Sequence, residues 1–169
     1  MKIGLVSRSL TEESPLTRWI LSLTKAASER GDEVHVIAET ISAGKISAVG
    51  GQTHVVEPVK NAGAFGRWVF ARRAKKELKA EPLDTVISNG DILDPDILLV
   101  GEADEKRVLK ALKRGRFGKA VVVSNSVKED LVEHLSLDAE RIIVAGPPAP
   151  DASNAEWDNR AKAFWSAIA

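Results

Sequence analysis

"VVVSNSVKEDLVEHLSLDAERIIVAGPPAP", residues 121 to 150, sets the fold class of this chain. An apolar run ends at Ser124. Ser126 with Glu129 three residues on forms a capping box, and the helix it opens carries Val127, Leu131 and His134 or Leu135 inward. A second apolar run, "RIIVA" (141 to 145), meets a pair of prolines that cannot continue a strand. Both runs are continuous rather than alternating, the pattern of strands buried on both faces of a parallel sheet.

Working outward, the same kind of run recurs as "KIGLV" (2 to 6), "EVHVIA" (33 to 38), "THVVEPV" (53 to 59), "DTVIS" (84 to 88) and "ILLVG" (97 to 101). Strands that alternate with helices predict a Rossmann-like, doubly wound α/β domain. The sheet is expected to be mainly parallel, of about seven strands in an order near 3-2-1-4-5-6-7, with helices on both faces.

The first helix is bounded by Ser14 as N-cap, Pro15 at the first helical position and Gly31 beyond its end. Leu16, Trp19, Ile20, Leu23 and Ala27 form its apolar stripe. "ISAGKISAVGGQ" (41 to 52) is small, polar and glycine-rich and reads as a loop, and "AGPPAPDASN" (145 to 154) reads as a linker. After it a second capping box, Ser153 to Glu156, starts a helix with Trp157, Ala161, Phe164, Trp165 and Ile168 at helical spacing. Such a stripe requires an apolar surface to dock on. The division expected is residues 1 to 150 as the Rossmann-like domain and 151 to 169 as linker and docking helix.

The chain has 169 residues, 44% of them hydrophobic, and no cysteine, which excludes disulfides, Cys-ligated zinc, iron–sulfur clusters and thiol nucleophiles. The opening "MKIGLVSRSL" is too short an apolar run for a signal sequence or a membrane span, so a soluble, cytoplasmic protein is expected. No G-x-G-x-x-G, no P-loop and no G-x-S-x-G elbow is present, and the acids a phospho-receiver needs after its first strand are replaced by Ser7, Arg8 and Ser9. His35, His54 and His134 have no metal partner at ligand spacing and read as structural. No cofactor or metal is expected.

Acidic and basic residues balance at 24 each, but the basic ones cluster. Lys60 to Lys79 holds seven against one Glu, and Lys106 to Lys119 holds seven against none. One reading is the solvated face of helices packed on the sheet. The other is an anion-binding patch of Arg67, Arg72, Arg73, Lys110, Lys113 and Arg114 for a phosphate ligand or acidic membrane headgroups, with Phe65, Trp68, Val69 and Phe70 making an interfacial amphipathic helix. No nucleic-acid module is recognisable and Tyr is absent, so nucleic acid is not an expected partner.

"MKIGLVSRSL" with "LSLTKAASERGDEVHVIAE", and the segment from "LDTVISNGDILDPDILLVGE" to "AERIIVAGPPAP", together resemble the N-terminal, acceptor domain of the GT-B glycosyltransferases, in particular the retaining family-four enzymes. The resemblance spans roughly residues 1 to 150. It implies the acceptor-binding half of an enzyme that transfers a hexose from a nucleotide sugar to a lipid-linked or saccharide acceptor of a cell-envelope polysaccharide. The nucleotide sugar would belong to a second, donor-binding domain, which the chain lacks or which a partner chain supplies, so the chain is expected to be inactive alone. It would sit in the cytoplasm, peripheral to the inner membrane face. "EWDNRAKAFWSAIA" is similar to the terminal helix that in this family crosses back onto the N-domain.

The family's glycine pair after the first strand is replaced here by "SLTEESP". By position the resemblance implies acceptor contacts from Ser9, Thr11, Thr17, Asn89, Asp91, Ser124 and Asn125, and a catalytic role for Glu102 and Asp104 directly after "ILLVG". Those two acids read equally as complements to the dipole of a following helix, 104 to 114.

Overall fold

The computed structural model of the protein describes residues 1–11, 14–58, 63–101 and 106–168. In chain order the elements are β1 (Lys2–Val6), α1 (Pro15–Glu29), β2 (Glu33–Ala38), α2 (Ala43–Ala48), β3 (Gln52–Val55), α3 (Ala64–Ala80), β4 (Thr85–Ser88), β5 (Ile97–Leu99), α4 (Lys106–Arg114), β6 (Lys119–Val122), α5 (Asn125–Leu135), β7 (Ile142–Val144) and α6 (Asn154–Ile168). Among the described residues seven strands form one sheet in the order β3-β2-β1-β4-β5-β6-β7, and every pairing is parallel. The sheet is therefore the doubly wound, Rossmann-like one that the continuous apolar runs imply.

Alternation along the strands sends successive side chains to opposite layers. Ile3, Leu5, Ile87, Ile97, Leu99 and Val121 pack with α1, α2 and α6. Val6 and Ile37 pack with Phe70 and Ala74 of α3, while Leu98, Val100, Ala120 and Val122 pack with α4 and α5. So α3, α4 and α5 share one face of the sheet, and α1, α2 and α6 cover the other.

Helix α6 lies on α1. Trp157, Ala161, Phe164 and Trp165 are all buried, and the rings interlock: Trp19 meets Phe164 edge-on at 5.9 Å and Trp157 at 6.1 Å. The Trp165 Nε1–H donates to the Leu23 carbonyl at 3.0 Å. Arg18 of α1 fastens the approach to α6 by donating to the Pro150 and Ala152 carbonyls and to Asn154 Oδ1, with its guanidinium 4.8 Å from the centre of the Trp157 ring. The capping box forms as its spacing predicts, with the Ser153 amide donating to Glu156 Oε2 at 2.8 Å. Those bonds from the Ser153 backbone and hydroxyl hold the Glu156 carboxyl below its ordinary value.

Several expectations are corrected. Residues 43–48 form the short helix α2 rather than loop, because Ile46 finds a buried place beneath α1 that a local reading cannot foresee. The N-cap of α5 is Ser124, whose Oγ accepts from the Val127 amide at 3.3 Å, and not Ser126. His134 is exposed, leaving Leu131 and Leu135 to face inward. The third strand ends at Val55, and Phe70, expected on the outer face of α3, is fully buried against the sheet. His35 is also buried, with Nδ1 2.8 Å from His54 Nε2 and Nε2 3.1 Å from Glu33 Oε1, a hydrogen-bonded chain across β2 and β3.

Candidate functional site

The chain winds from β1 outward to β3, then crosses back to β4 and winds the other way, so the topological switch point lies between β1 and β4. Ligands of open α/β sheets bind there, at the carboxyl ends of the strands. The last registered pair is Val6↔Ser88, and directly beyond it come Ser7 and Asn89. Both are almost fully buried, as is Ser88. By the alternation that turns Leu5 and Ile87 toward α1, Ser7 and Asn89 lie on the α1 side, where Thr17 of its first turn is also buried.

These side chains share an unusual property. Ser7 Oγ, Thr17 Oγ1, Ser88 Oγ and Asn89 Oδ1 are buried and make no hydrogen bond among the described residues. Buried polar atoms normally find partners, and each left without one costs about 1–3 kcal/mol. Ser7, Thr17 and Asn89 lie on the α1 side of the switch point, where a ligand could satisfy them, while Ser88, in register with Val6, turns to the α3 side of the sheet.

The described residues directly after β1, β2 and β4 are tied to one another. The Arg8 amide donates to Asp91 Oδ2 at 2.8 Å, joining the turns after β1 and β4. The Arg8 side chain crosses to β2 and donates from Nε to Glu39 Oε2 at 2.7 Å, while Glu39 Oε1 is buried without a partner. Ser9 and Thr40 form a parallel bridge, and the Leu10 amide donates to the Thr40 carbonyl at 2.9 Å. Chemically the crevice offers an amide oxygen, hydroxyls and carboxylates, and the Arg8 guanidinium beside it is already paired with Glu39. Pro15 removes one of the free N–H groups that would otherwise point from the start of α1 at an anion. A neutral, hydroxyl-bearing ligand, donating to these oxygens, matches the crevice better than a phosphate.

Of the residues singled out in the sequence, Asn89, Asp91 and Thr17 converge on the switch point and are buried. Ser9 and Thr11 are exposed on the loop after β1. Ser124 spends its Oγ on the α5 cap, and Asn125 is exposed at the first position of that helix. Glu102 and Asp104 lie outside the described residues. Ser7, Ser88 and Glu39 were missed by sequence reasoning. The two serines had a faint signal: in "GLVS" and "TVIS" a hydroxyl ends an unbroken apolar run, just where a parallel strand reaches its carboxyl end, whereas Glu39 had none.

The basic residues occupy another region. Arg67 and Arg72 are exposed on α3, and Lys110, Lys113 and Arg114 are exposed on α4. Arg73 is half-buried, its Nη1 directed at the Glu57 carbonyl. Among the described residues no set of three or more His, Asp or Glu side chains is grouped as a metal site would need. No described helix is long and apolar enough to cross a membrane.

No family model matches this chain, and no curated protein matches its sequence. Solved structures do match, and the neighbours are GT-B glycosyltransferases. WaaG, a glycosyltransferase involved in lipopolysaccharide biosynthesis, superposes with a TM-score of 0.66 at 17% identity, over 86% of this chain and 45% of its own. A glycosyltransferase from Rickettsia africae gives 0.59 at 15% identity, over 86% of this chain and 42% of its own. The lipopolysaccharide outer core galactosyltransferase WaaB gives 0.59 at 12% identity, over 88% and 46%. At such identities the likeness is one of fold, and this chain spans under half the length of each of these proteins.

Proposed function

We propose that this chain is the acceptor-binding half of a glycosyltransferase, of the retaining family-four kind, and that the crevice between β1 and β4 receives a saccharide hydroxyl. The observation that carries the reading is the set of buried, unsatisfied oxygens from Ser7, Thr17 and Asn89 on the α1 side of the switch point. Sugar hydroxyls are donors as well as acceptors, and their binding would remove the desolvation cost of those oxygens. The fold shared with glycosyltransferases supports the same reading.

In this reading the nucleotide sugar binds a second domain, or a partner chain, facing this crevice. The hexose passes to a lipid-linked or saccharide acceptor of the cell envelope, with the leaving diphosphate stabilised from the donor side. The chain alone holds the acceptor and transfers nothing. Asn89 and Asp91 position the acceptor, and Glu102 and Asp104 remain the candidates for contact with the reacting hydroxyl. Ser9, Thr11 and Asn125 would form the outer rim.

The test is an amide-shift titration with UDP-glucose, GDP-mannose and a phosphorylated lipid-saccharide headgroup, added separately. Shifts confined to residues 7–11, 88–91 and the start of α1 with the saccharide headgroup alone are the expected result. Tight nucleotide-sugar binding, or silence at those residues with every ligand, would leave the likeness as one of fold only.

A further inference from the structure

Helix α3 has two faces of opposite character. Phe70 and Ala74 are buried against the sheet. The outer face carries Phe65 and Trp68, 62% and 56% exposed, stacked on each other at 6.0 Å, with Leu93 beside them at 56% exposure. Exposed aromatics grouped this way on a soluble surface mark a contact site. Behind them along the helix stand Arg72, Lys75, Lys76 and Lys79, all exposed, with the Arg72 guanidinium 5.6 Å from the centre of the Trp68 ring.

A groove of about 480 Å³ runs between this stripe and the 92–96 turn, lined by Trp68, Arg72, Lys75, Lys79 and Leu93. Its acids are occupied: Asp96 accepts from the Val86 amide at 2.7 Å, and Asp94 lies 3.9 Å from Arg116. Helix α4 covers the same face of the sheet and adds exposed Lys110, Lys113 and Arg114. Neither Lys75, Lys76 and Lys79 nor these three forms an ion pair among the described residues. In a chain with no net charge, the exposed cations of α3 and α4 are thus collected on one side of the sheet.

We infer that this side docks on an anionic lipid bilayer, with Phe65, Trp68 and Leu93 entering the headgroup layer and the basic stripes of α3 and α4 lying against the lipid phosphates. Charge complementarity argues for that occupant, since long flexible cations around an aromatic knob suit a diffuse negative surface rather than one fixed carboxylate or phosphate. Orientation adds to it. α3 runs back against the parallel strands, so its first turn, bearing Phe65 and Trp68, lies at the carboxyl edge of the sheet where the switch-point crevice opens. The inference does not depend on the glycosyltransferase reading, and a bound saccharide is not needed to test it.

Trp68 makes the test specific, because Trp19, Trp157 and Trp165 are each no more than 2% exposed. The full chain is mixed with sedimentable vesicles of phosphatidylcholine, alone or with phosphatidylglycerol, while acrylamide quenching of tryptophan is followed. Binding is expected only to the anionic vesicles, with loss of the quenchable fraction, and release at about 0.5 M salt, where screening is nearly complete. Lys75→Glu with Lys79→Glu should weaken binding by at least about 25-fold, from about fivefold per cation removed. Trp68→Ser should weaken it while leaving the buried-tryptophan emission unchanged, which shows the fold intact. Absence of binding, equal binding to neutral vesicles, unchanged binding by both variants, displacement by soluble glycerol phosphate, or preferential capture by RNA would each overturn the inference.

Discussion

Replacing Trp165 by Ala tests whether α6 is held on α1 by its aromatic anchors. The side chain is 2% exposed, packs edge-on to Phe164 at 5.0 Å, stacks beneath the Arg30 guanidinium at 5.0 Å and donates to the Leu23 carbonyl. A buried tryptophan removes roughly 150–250 Å² from water, and at about 25 cal/mol per Å² that is roughly 4–6 kcal/mol. Alanine keeps part of it, and the measured range for such truncations, about 3–5 kcal/mol, is the expectation here. Set against a whole-domain stability of about 5–15 kcal/mol, this is a large fraction. Urea unfolding followed by far-UV dichroism would read it, alongside a fall in Tm of roughly 10 °C. Trp165→Phe keeps most of the ring and should cost about 1–2 kcal/mol, including the lost hydrogen bond. Trp68→Ala, at an exposed site, should change stability by no more than about 0.5 kcal/mol. A loss below about 1 kcal/mol for Trp165→Ala would refute the docking argument, since it would mean the ring is not removed from water.

Other consequences follow from single contacts. Burial opposes charge on Asp32, but hydrogen bonds from the N-terminal amine and Arg30 outweigh it and hold its carboxyl below the ordinary 3.8. A depressed carboxylate stabilises the fold above its unfolded pKa and loses that contribution as pH falls through the folded value. Asp32→Asn should therefore be less stable than the parent at pH 7, and the gap should close in acid well below pH 3.8 when both are unfolded in urea. Asp91→Ala leaves the Arg8 amide without its carboxylate partner and should cost about 1–3 kcal/mol, with amide shifts spreading from the β1 turn to the β4 turn. Gly118→Ala would place a Cβ 2.6 Å from the Asp96 carbonyl oxygen, so it should destabilise by about 1–3 kcal/mol in the same denaturation assay. If Gly118→Ala proves neutral, the close approach of β6 to the turn before β5 is not as described.

How far the sequence could be read differs between fold and site. Unbroken runs such as "IGLV" and "AVVV" can be satisfied only by strands covered on both faces, so the parallel sheet and its helices were legible. The stripe of Trp157, Phe164 and Trp165 likewise announced a docking helix. Its partner surface was not announced, because Trp19 and Leu23 of α1 are 142 residues away from Trp165 in the case of the Leu23 contact. Helix α2 was misread for the same reason: propensity in "AGKISA" is weak, and burial of Ile46 decides it.

What the sequence by itself determined is what short-range periodicity and local chemistry encode: strand and helix succession, the Ser153–Glu156 box, the absence of thiol and P-loop chemistry, and two basic clusters. Tertiary structure alone decided which polar residues share a crevice and which charges share a face. Ser7 and Asn89 become neighbours only through the Val6↔Ser88 register, and the clusters on α3 and α4 combine only because both crossovers fall on one side of the sheet. Those relations depend on strand order and crossover hand, which arise from packing over long chain separations, and no local pattern of residues carries them.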